Sequence, residues 1–349
     1  MKKLFATLLA LTLSLALLLS FASCNTNENG DDTTAGNNQT SDITPDGDDT
    51  TTPPTDNTEI KVAVLNGTTG FGIAPLYCDI RDGKSGLNAK IDFYSDATLV
   101  APLVISKSVD IAAVPTNLAA VLYNKTQGGI QVLAVNTLGV LYLVENGSTV
   151  NSLSDLEGKT VYLPGQGSNP EYVLKALLEL AGIADKVTFD YTYGSPDELT
   201  TALATGKASL GVIPEPKVTS AVTKNSSLRV AIDFSKEWKT LTGTELVQGC
   251  IIARKEFVDA HPIAVENFLK EYKASVETVN SNAAEAAKLI VSAGIVANET
   301  LVTNALPRCN ITYLTGEDMN SALNKFWGAL FAQVPSSVGG KLPDNAIFY

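Results

Sequence analysis

The sequence predicts an α/β protein of two βαβ lobes, joined by two crossover strands around a shared ligand cleft. Two observations predict it. In Lys107–Tyr123 (KSVDIAAVPTNLAAVLY), the apolar run Val109–Val114 is too short for a helix and is stopped by Pro115. Leu118, Val121 and Leu122 then recur at helical spacing, with Thr116 and Asn117 offering N-cap oxygens at the junction. A strand that runs straight into a helix leaves backbone N–H groups open at its carboxyl end, where α/β sheets bind ligands. The second observation is a similar arrangement in Lys207–Val222 (KASLGVIPEPKVTSAV), about a hundred residues on. Two such units so far apart place one strand-to-helix mouth on each lobe.

At 349 residues the chain can hold two cores. Its net charge of −12 argues against nucleic acid or an anionic membrane surface as a partner. Met1-Lys2-Lys3, a Leu-rich run to about Phe21 and Ala22-Ser23-Cys24 read as a secretory signal ending in small residues. Residues 1–23 are the expected signal peptide. The run is near the lower length limit for spanning and lacks a stop-transfer flank, so this reading is preferred to a transmembrane anchor. Residues 25–58 hold Thr, Asn, Asp, Gly and Pro, almost nothing apolar and no base. They cannot bury enough surface to offset the entropy of ordering, and residues 24–58 are expected to be an acidic tether.

Along the folded body, Glu59–Leu65 is the first expected strand, running into the glycine-rich turn Asn66–Gly72. That turn has the wrong spacing for a dinucleotide signature and lacks the Gly-Lys-Ser/Thr of a P-loop. Leu87–Tyr94 and Ile130–Asn136 are further strands and Thr98–Ser106 a helix, which predicts a mainly parallel sheet. Val140–Glu145 arrives without an intervening helix and reads as the crossover to the second lobe. Lys159–Leu163 is a strand, and the turn Pro164–Ser168 leads into a long helix through Ala181, with Asn169 expected as N-cap and Pro170 in the first turn. Val187–Tyr193, a helix over Pro196–Thr205, the Lys207 unit and Leu228–Ile232 complete the second lobe. The return crossing is expected near Leu241–Gly249, followed by Cys250–Arg254 as a strand and helices packed round the first lobe. The lobes are thus 59–140 plus 250–349, and 141–249 with both hinge crossings.

Catalytic chemistry is sparse. The single histidine, His261, precedes a proline at a helix start, where a surface cap is the simpler reading than a base. No spacing of Cys, His and carboxylates resembles a metal site, and no cofactor is expected. Besides Cys24 the chain has Cys78, Cys250 and Cys309. In an oxidising setting one pair can bridge. Cys250–Cys309 is favoured because both fall in the returning part of the first lobe. Glu215, between Pro214 and Pro216, either faces a ligand amine or serves as an ordinary first-turn acid.

Leu-Ser-Phe-Ala-Ser-Cys resembles a bacterial lipobox, with Cys24 the lipidated residue and Phe21 standing where Leu is usual. VDIAAVPTNLAAVLYNKT, LAVNTLGVLYLVENG, GQGSNPEYVL, GVIPEPKVTSAV, VQGCIIARKEF, PRCNITYLTGE and SVGGKLPD together resemble solute-binding lipoproteins of ABC importers. The branch is the nitrate/sulfonate/taurine group (SsuA/THI5-like, NMT1-like), which includes thiamine-pyrimidine binders, and the resemblance covers about residues 59–349. It implies a type II periplasmic-binding fold, hinge closure on a small-molecule solute, and delivery to an ABC permease and its ATPase. It also implies a monomer tethered outside the cytoplasm through lipid on Cys24. Carried over by position, the ligand contacts are Thr68, Thr69, Gly70, Phe71, Pro115, Thr116, Asn117, Asn136, Thr137, Gly165, Gln166, Gly167, Ser168 and Glu215. In sulfonate-type relatives the second-lobe Gly/Ser turn holds the anion. Here only Ser168 brings a hydroxyl and Glu215 would repel an anion, so a pyrimidine-like or nitrogenous solute is favoured over taurine, sulfonate or nitrate. The alternatives are a pyrimidine-forming enzyme of the THI5 type, which uses a histidine with a pyridoxal cofactor, and a non-transport sensor domain.

Overall fold

The computed structural model describes residues 56–349; the expected signal peptide, Cys24 and nearly all of the tether lie outside them. Among the described residues, eleven strands form two sheets. The first contains β1 (Ile60–Leu65), β2 (Ala89–Tyr94), β3 (Ile111–Pro115), β4 (Ile130–Leu138), β10 (Val247–Arg254) and β11 (Ile311–Leu314), in the order β11-β4-β10-β3-β1-β2. The second contains β5 (Leu141–Asn146), β6 (Thr160–Tyr162), β7 (Thr188–Asp190), β8 (Leu210–Pro214) and β9 (Leu228–Asp233), in the order β7-β6-β8-β5-β9. β1 pairs parallel with β2 and β3, and β6 with β7 and β8. β10 inserts antiparallel between β3 and β4, which separates two strands that run the same way. This is the two-lobed type II fold with a strand from the far end of the chain returned to the first lobe.

The crossings differ from expectation. Val140–Glu145 is no connector: β5 is a central strand of the second sheet, flanked by β8 and β9 and buried over five of its residues. The crossing shrinks to Gly139 and Val140. Gln248 Oε1 accepts from Val140 N at 2.6 Å, and Gly139 O accepts from Asn310 Nδ2 at 2.5 Å and Ser235 Oγ at 2.9 Å. A Cβ on Gly139 would stand 2.2 Å from that Ser235 oxygen and 2.8 Å from Leu246 Cδ2, so a larger residue at this crossing must displace both side chains. The return is also shorter than Leu241–Gly249, because Phe234–Thr242 is a helix. Its punctuation is local: Asp233 accepts from Ser235 N and Lys236 N, and Gly243 ends it at φ 73°.

The cores are arranged asymmetrically. On one side of the molecule a single apolar cluster runs from Val114, Leu122 and Ile252 of the first lobe into Leu143, Val161 and Leu174 of the second. The C-terminal helix Gly316–Gln333 lies in it, with Phe326 and Trp327 buried. On the other side each lobe has its own cluster, one around Phe71, Phe268 and Tyr272, the other around Tyr142, Leu199 and Ile213.

The expected Cys250–Cys309 bridge is not present. Cys78, Cys250 and Cys309 are free, buried thiols. Cys250 packs with Val114 and Ile252 in the continuous cluster, whereas Cys309 packs with Ile251 and Ile311 in the cluster on the opposite face of the first sheet. Alternation along β10 points Cys250 to the face opposite the one on which Cys309 packs. Burial pushes both thiols well above their ordinary range.

Candidate functional site

Strand direction fixes where the loops gather. Leu138 at the end of β4 pairs with Val247 at the start of β10, so the lobe-crossing end of the first sheet is the carboxyl end of β4. Pro115, the last residue of β3, pairs with Gly249, and β1 runs parallel to β3. The loops after β1 and β3 therefore open at the crossing. In the second sheet Leu141, just past the crossing, pairs with Pro214, the last residue of β8. β6 runs parallel to β8, so the loops after β6 and β8 open there too. Four strand-to-helix mouths thus share one end of each lobe.

The sequence-predicted residues divide into two sets. Thr68, Gly70, Phe71, Thr116, Asn136, Thr137 and Glu215 are buried, whereas Thr69, Pro115, Asn117, Gly165, Gln166, Gly167 and Ser168 keep accessible surface. After β1 the chain makes the single helical turn Thr68–Phe71. A Cβ on Gly70 would lie 2.6 Å from the Leu65 carbonyl, so glycine is required for the turn to close on its strand. Asn136 Nδ2 donates to Thr69 O at 3.0 Å, and the Thr137 hydroxyl donates to Asn136 Oδ1 at 3.1 Å. These two side chains hold the first mouth in shape.

Thr116 and Asn117 do not cap the helix Thr116–Lys125. The Thr116 hydroxyl donates to Val247 O at 2.8 Å, and Asn117 Nδ2 to Ser337 O at 3.4 Å. Trp327 Nε1 donates to Thr116 O at 2.9 Å, so the C-terminal helix buttresses this mouth. Asn169 is the first residue of its helix, not its cap; Ser168 occupies that position and makes no capping bond with its side chain.

Glu215 faces inward. Its carboxylate accepts from Thr219 N and from the Thr219 hydroxyl, both at 3.0 Å, and from Arg308 Nε at 2.5 Å. Arg308 also donates to Thr219 Oγ1, and its carbonyl accepts from the Tyr142 hydroxyl at 2.9 Å. Glu215, Thr219 and Tyr142 belong to the second lobe, while Arg308 leads into β11 of the first. The expected ligand carboxylate is therefore an interlobe clasp. Nearby, a cavity of about 230 Å³ separates Thr200, Pro216 and Ser220 from Ile295 and Leu301. The larger hollow of about 440 Å³, between Tyr193 and the helix Pro196–Ala204, touches none of the predicted contacts.

The turn after β6 holds a second buried acid, one that was not foreseen. Glu171, buried in the first turn of the helix Asn169–Leu180, accepts from Gly167 N, Lys175 Nζ and the Tyr191 hydroxyl. Burial alone would raise its carboxyl; Lys175, the Gly167 N–H and Tyr191 outweigh this and hold it below its ordinary 4.5. A carboxyl lowered by folding contributes stability that is whole above the unfolded value and lost as pH falls through the folded one. Acid titration of Glu171→Gln, followed by circular dichroism, is accordingly expected to show less destabilisation below pH 4.5 than the wild type. Glu171 was findable from its spacing four residues before Lys175 and four after Gly167. Arg308, 93 residues from Glu215, left no local signal.

His261 lies beyond Arg254, the end of β10 remote from the crossing, and its Nδ1 meets Asp56 Oδ2 at 3.0 Å and the Thr58 hydroxyl at 3.1 Å. It caps no helix with its side chain, and it is distant from the mouths along the sheet. Among the described residues no three of His, Cys, Asp and Glu converge as a metal site, and no helix is long and apolar enough to cross a membrane.

A family model described as NMT1/THI5 like matches residues 72–286. No curated protein matches the sequence. Among solved structures, an ABC transporter protein from Parabacteroides distasonis superposes with a TM-score of 0.71 at 26% identity, over 84% of this chain and 99% of its own. The periplasmic aliphatic sulphonate binding protein SsuA of Escherichia coli gives 0.66 at 14%, over 83% and 92%. The ligand-binding component of an ABC-type import system from Staphylococcus aureus gives 0.63 at 15%, over 83% and 95%.

Proposed function

The chain belongs to the NMT1/THI5-like family, and we propose on that footing that it is a non-catalytic, extracytoplasmic solute receptor serving an ABC importer. The observation that carries this reading is the meeting of four strand-to-helix mouths at the crossing between two lobes. The expected signal peptide and Cys24 would tether it by lipid on the outer side of the cytoplasmic membrane, within reach of a permease with its ATPase.

In this reading, Thr69, Pro115 and Asn117 of the first lobe and Gly165, Gln166, Gly167 and Ser168 of the second are the groups that touch the solute. The buried Thr68, Gly70, Phe71, Thr116, Asn136 and Thr137 shape the loops that present them. The solute is small and polar, a pyrimidine-like or nitrogenous compound being the leading class and taurine, sulfonate or nitrate the competing one. Support for a receptor over a THI5-type enzyme comes from His261, which hydrogen-bonds Asp56 beyond the far end of β10.

The test is a thermal-shift screen of aminopyrimidines, amines, sulfonates and oxyanions, followed by small-angle scattering with every hit. A solute that raises the melting temperature is expected to reduce the radius of gyration and to be recovered unchanged. Binding with no compaction across all hits, or chemical conversion of the solute, would overturn the receptor reading.

A further inference from the structure

Beside the Arg308 clasp the two lobes border a cavity of about 230 Å³ whose walls differ in chemistry. The first-lobe wall is aliphatic. It consists of Ile295, Val296 and Leu301, around the start of the helix Glu299–Ala305, which packs on the second-lobe helix Lys217–Lys224. The second-lobe wall is polar. Lys217, Ser220 and Lys224 fall at helical spacing on one face of their helix, beside Thr200 and Thr201 of the helix Pro196–Ala204. Most of the donors in this wall are spent. The Thr200 hydroxyl donates to Pro196 O at 2.5 Å, the Thr201 hydroxyl to Asp197 O at 2.9 Å, and Lys217 is paired with Asp197. The Ser220 hydroxyl and the exposed Lys224 ammonium have no partner among the described residues. One hydroxyl and one cation are therefore left for a ligand, across from an aliphatic wall.

We propose that this cavity is a second binding site, taking a small aliphatic carboxylate, and that its occupant holds the lobes together. The carboxylate meets Ser220 and Lys224, and the hydrocarbon lies on Ile295, Val296 and Leu301. None of the groups proposed to touch the solute lines this cavity, so the inference goes beyond the receptor reading and stands without it. Its walls belong to different lobes, and a molecule that spans them loses one wall when the lobes part. That differential contact is what lets a ligand shift a two-state equilibrium. The cavity also backs on the first mouth. A Cβ on Gly70 would lie 3.6 Å from Ile295 Cδ1, which places Ile295 against the turn after β1. Pro216, in the other wall, directly follows the Glu215 of the clasp.

The experiment labels the Ile, Leu and Val methyls of the folded chain with ¹³C and follows them by NMR. The probe is 4-methylpentanoate, and 4-methylpentanamide is its uncharged counterpart. The carboxylate is expected to shift the methyls of Ile295, Val296 and Leu301 and to bind about fivefold more tightly than the amide. Lys224→Gln, a change at an exposed position, should remove that advantage and leave the amide's affinity as it was. Unmoved methyls at these three residues overturn the site. Equal binding of the two probes by the wild type overturns the carboxylate class, and this comparison needs no variant to fold. Arg308 lines no part of the cavity, so Arg308→Met tests the hold on the lobes. Freed lobes should weaken both probes by the same factor. A loss confined to the carboxylate, or no loss at all, overturns that part of the proposal.

Discussion

An Arg308→Met protein is expected to scatter as a more extended particle than the wild type and to bind its solute about tenfold more weakly. Two side-chain hydrogen bonds explain why, beside a third that the substitution leaves in place. The Arg308 guanidinium reaches across to the Glu215 carboxylate and the Thr219 hydroxyl, while its own carbonyl is held by the Tyr142 hydroxyl. Methionine fills similar volume and leaves the carbonyl bond intact, so the substitution cuts the side-chain half of the clasp alone. Hydrogen bonds to a charged group are worth about 1.5–3 kcal/mol. Because the Arg308 side chain keeps 37% of its surface, solvent screening places this one at the low end.

That energy divides between folding and closure. If the clasp forms only when the lobes meet, its loss lowers the population of the closed state, and apparent affinity falls in proportion. Glu215→Gln retains an acceptor for Thr219 but loses the ion pair, and should reproduce most of the effect. Combined with Arg308→Met it should add little, since both remove one interaction. Full additivity of the pair in melting temperature, or a scattering curve that superposes on the wild type, would show that the clasp does not govern closure.

The contrast between what was and was not legible in the residues follows from distance along the chain. The Lys107 and Lys207 units announced themselves because strand, proline and helix start are neighbours, and β3 and β8 end at Pro115 and Pro214 as expected. The Phe234–Thr242 helix carried its own punctuation in Asp233 and Gly243, yet its apolar content is thin: only Phe234 and Trp238 are buried. Glu215 shows the limit. Its position at a mouth was visible from two flanking prolines, but its partner Arg308 comes from a segment with no pattern linking the two. The cysteines failed for a related reason. Membership of the same lobe says nothing about which face of β10 a side chain takes, and one residue of register decides it.

Trp327→Ala is expected to cost about 3–5 kcal/mol of stability, read by denaturant unfolding, with Trp327→Phe losing nearer 1 kcal/mol. Trp327 is 1% exposed, stacks on Phe348 at 6.1 Å and donates its indole N–H to Thr116 O. One position earlier on the same helix, Phe326 meets Trp238 of the second lobe edge-on at 5.6 Å. The two aromatics tie one helix to both lobes, inside the one apolar cluster that runs through the whole body. On the opposite side the clusters are separate, and the Arg308 clasp bridges them with polar bonds. An apolar seam keeps its packing through small rotations but not through separation, whereas polar bonds exchange readily with water. The lobes should therefore pivot on the C-terminal helix and part at Arg308. On this geometry Trp327→Ala lowers stability while also loosening the mouth after β3, whose Thr116 carbonyl loses its donor, and Arg308→Met changes closure at modest cost to stability. Opposite rankings of the two variants in unfolding free energy and in radius of gyration are the expected result. If Trp327→Ala loses less than about 1 kcal/mol, the helix is not the seam and the pivot must lie elsewhere.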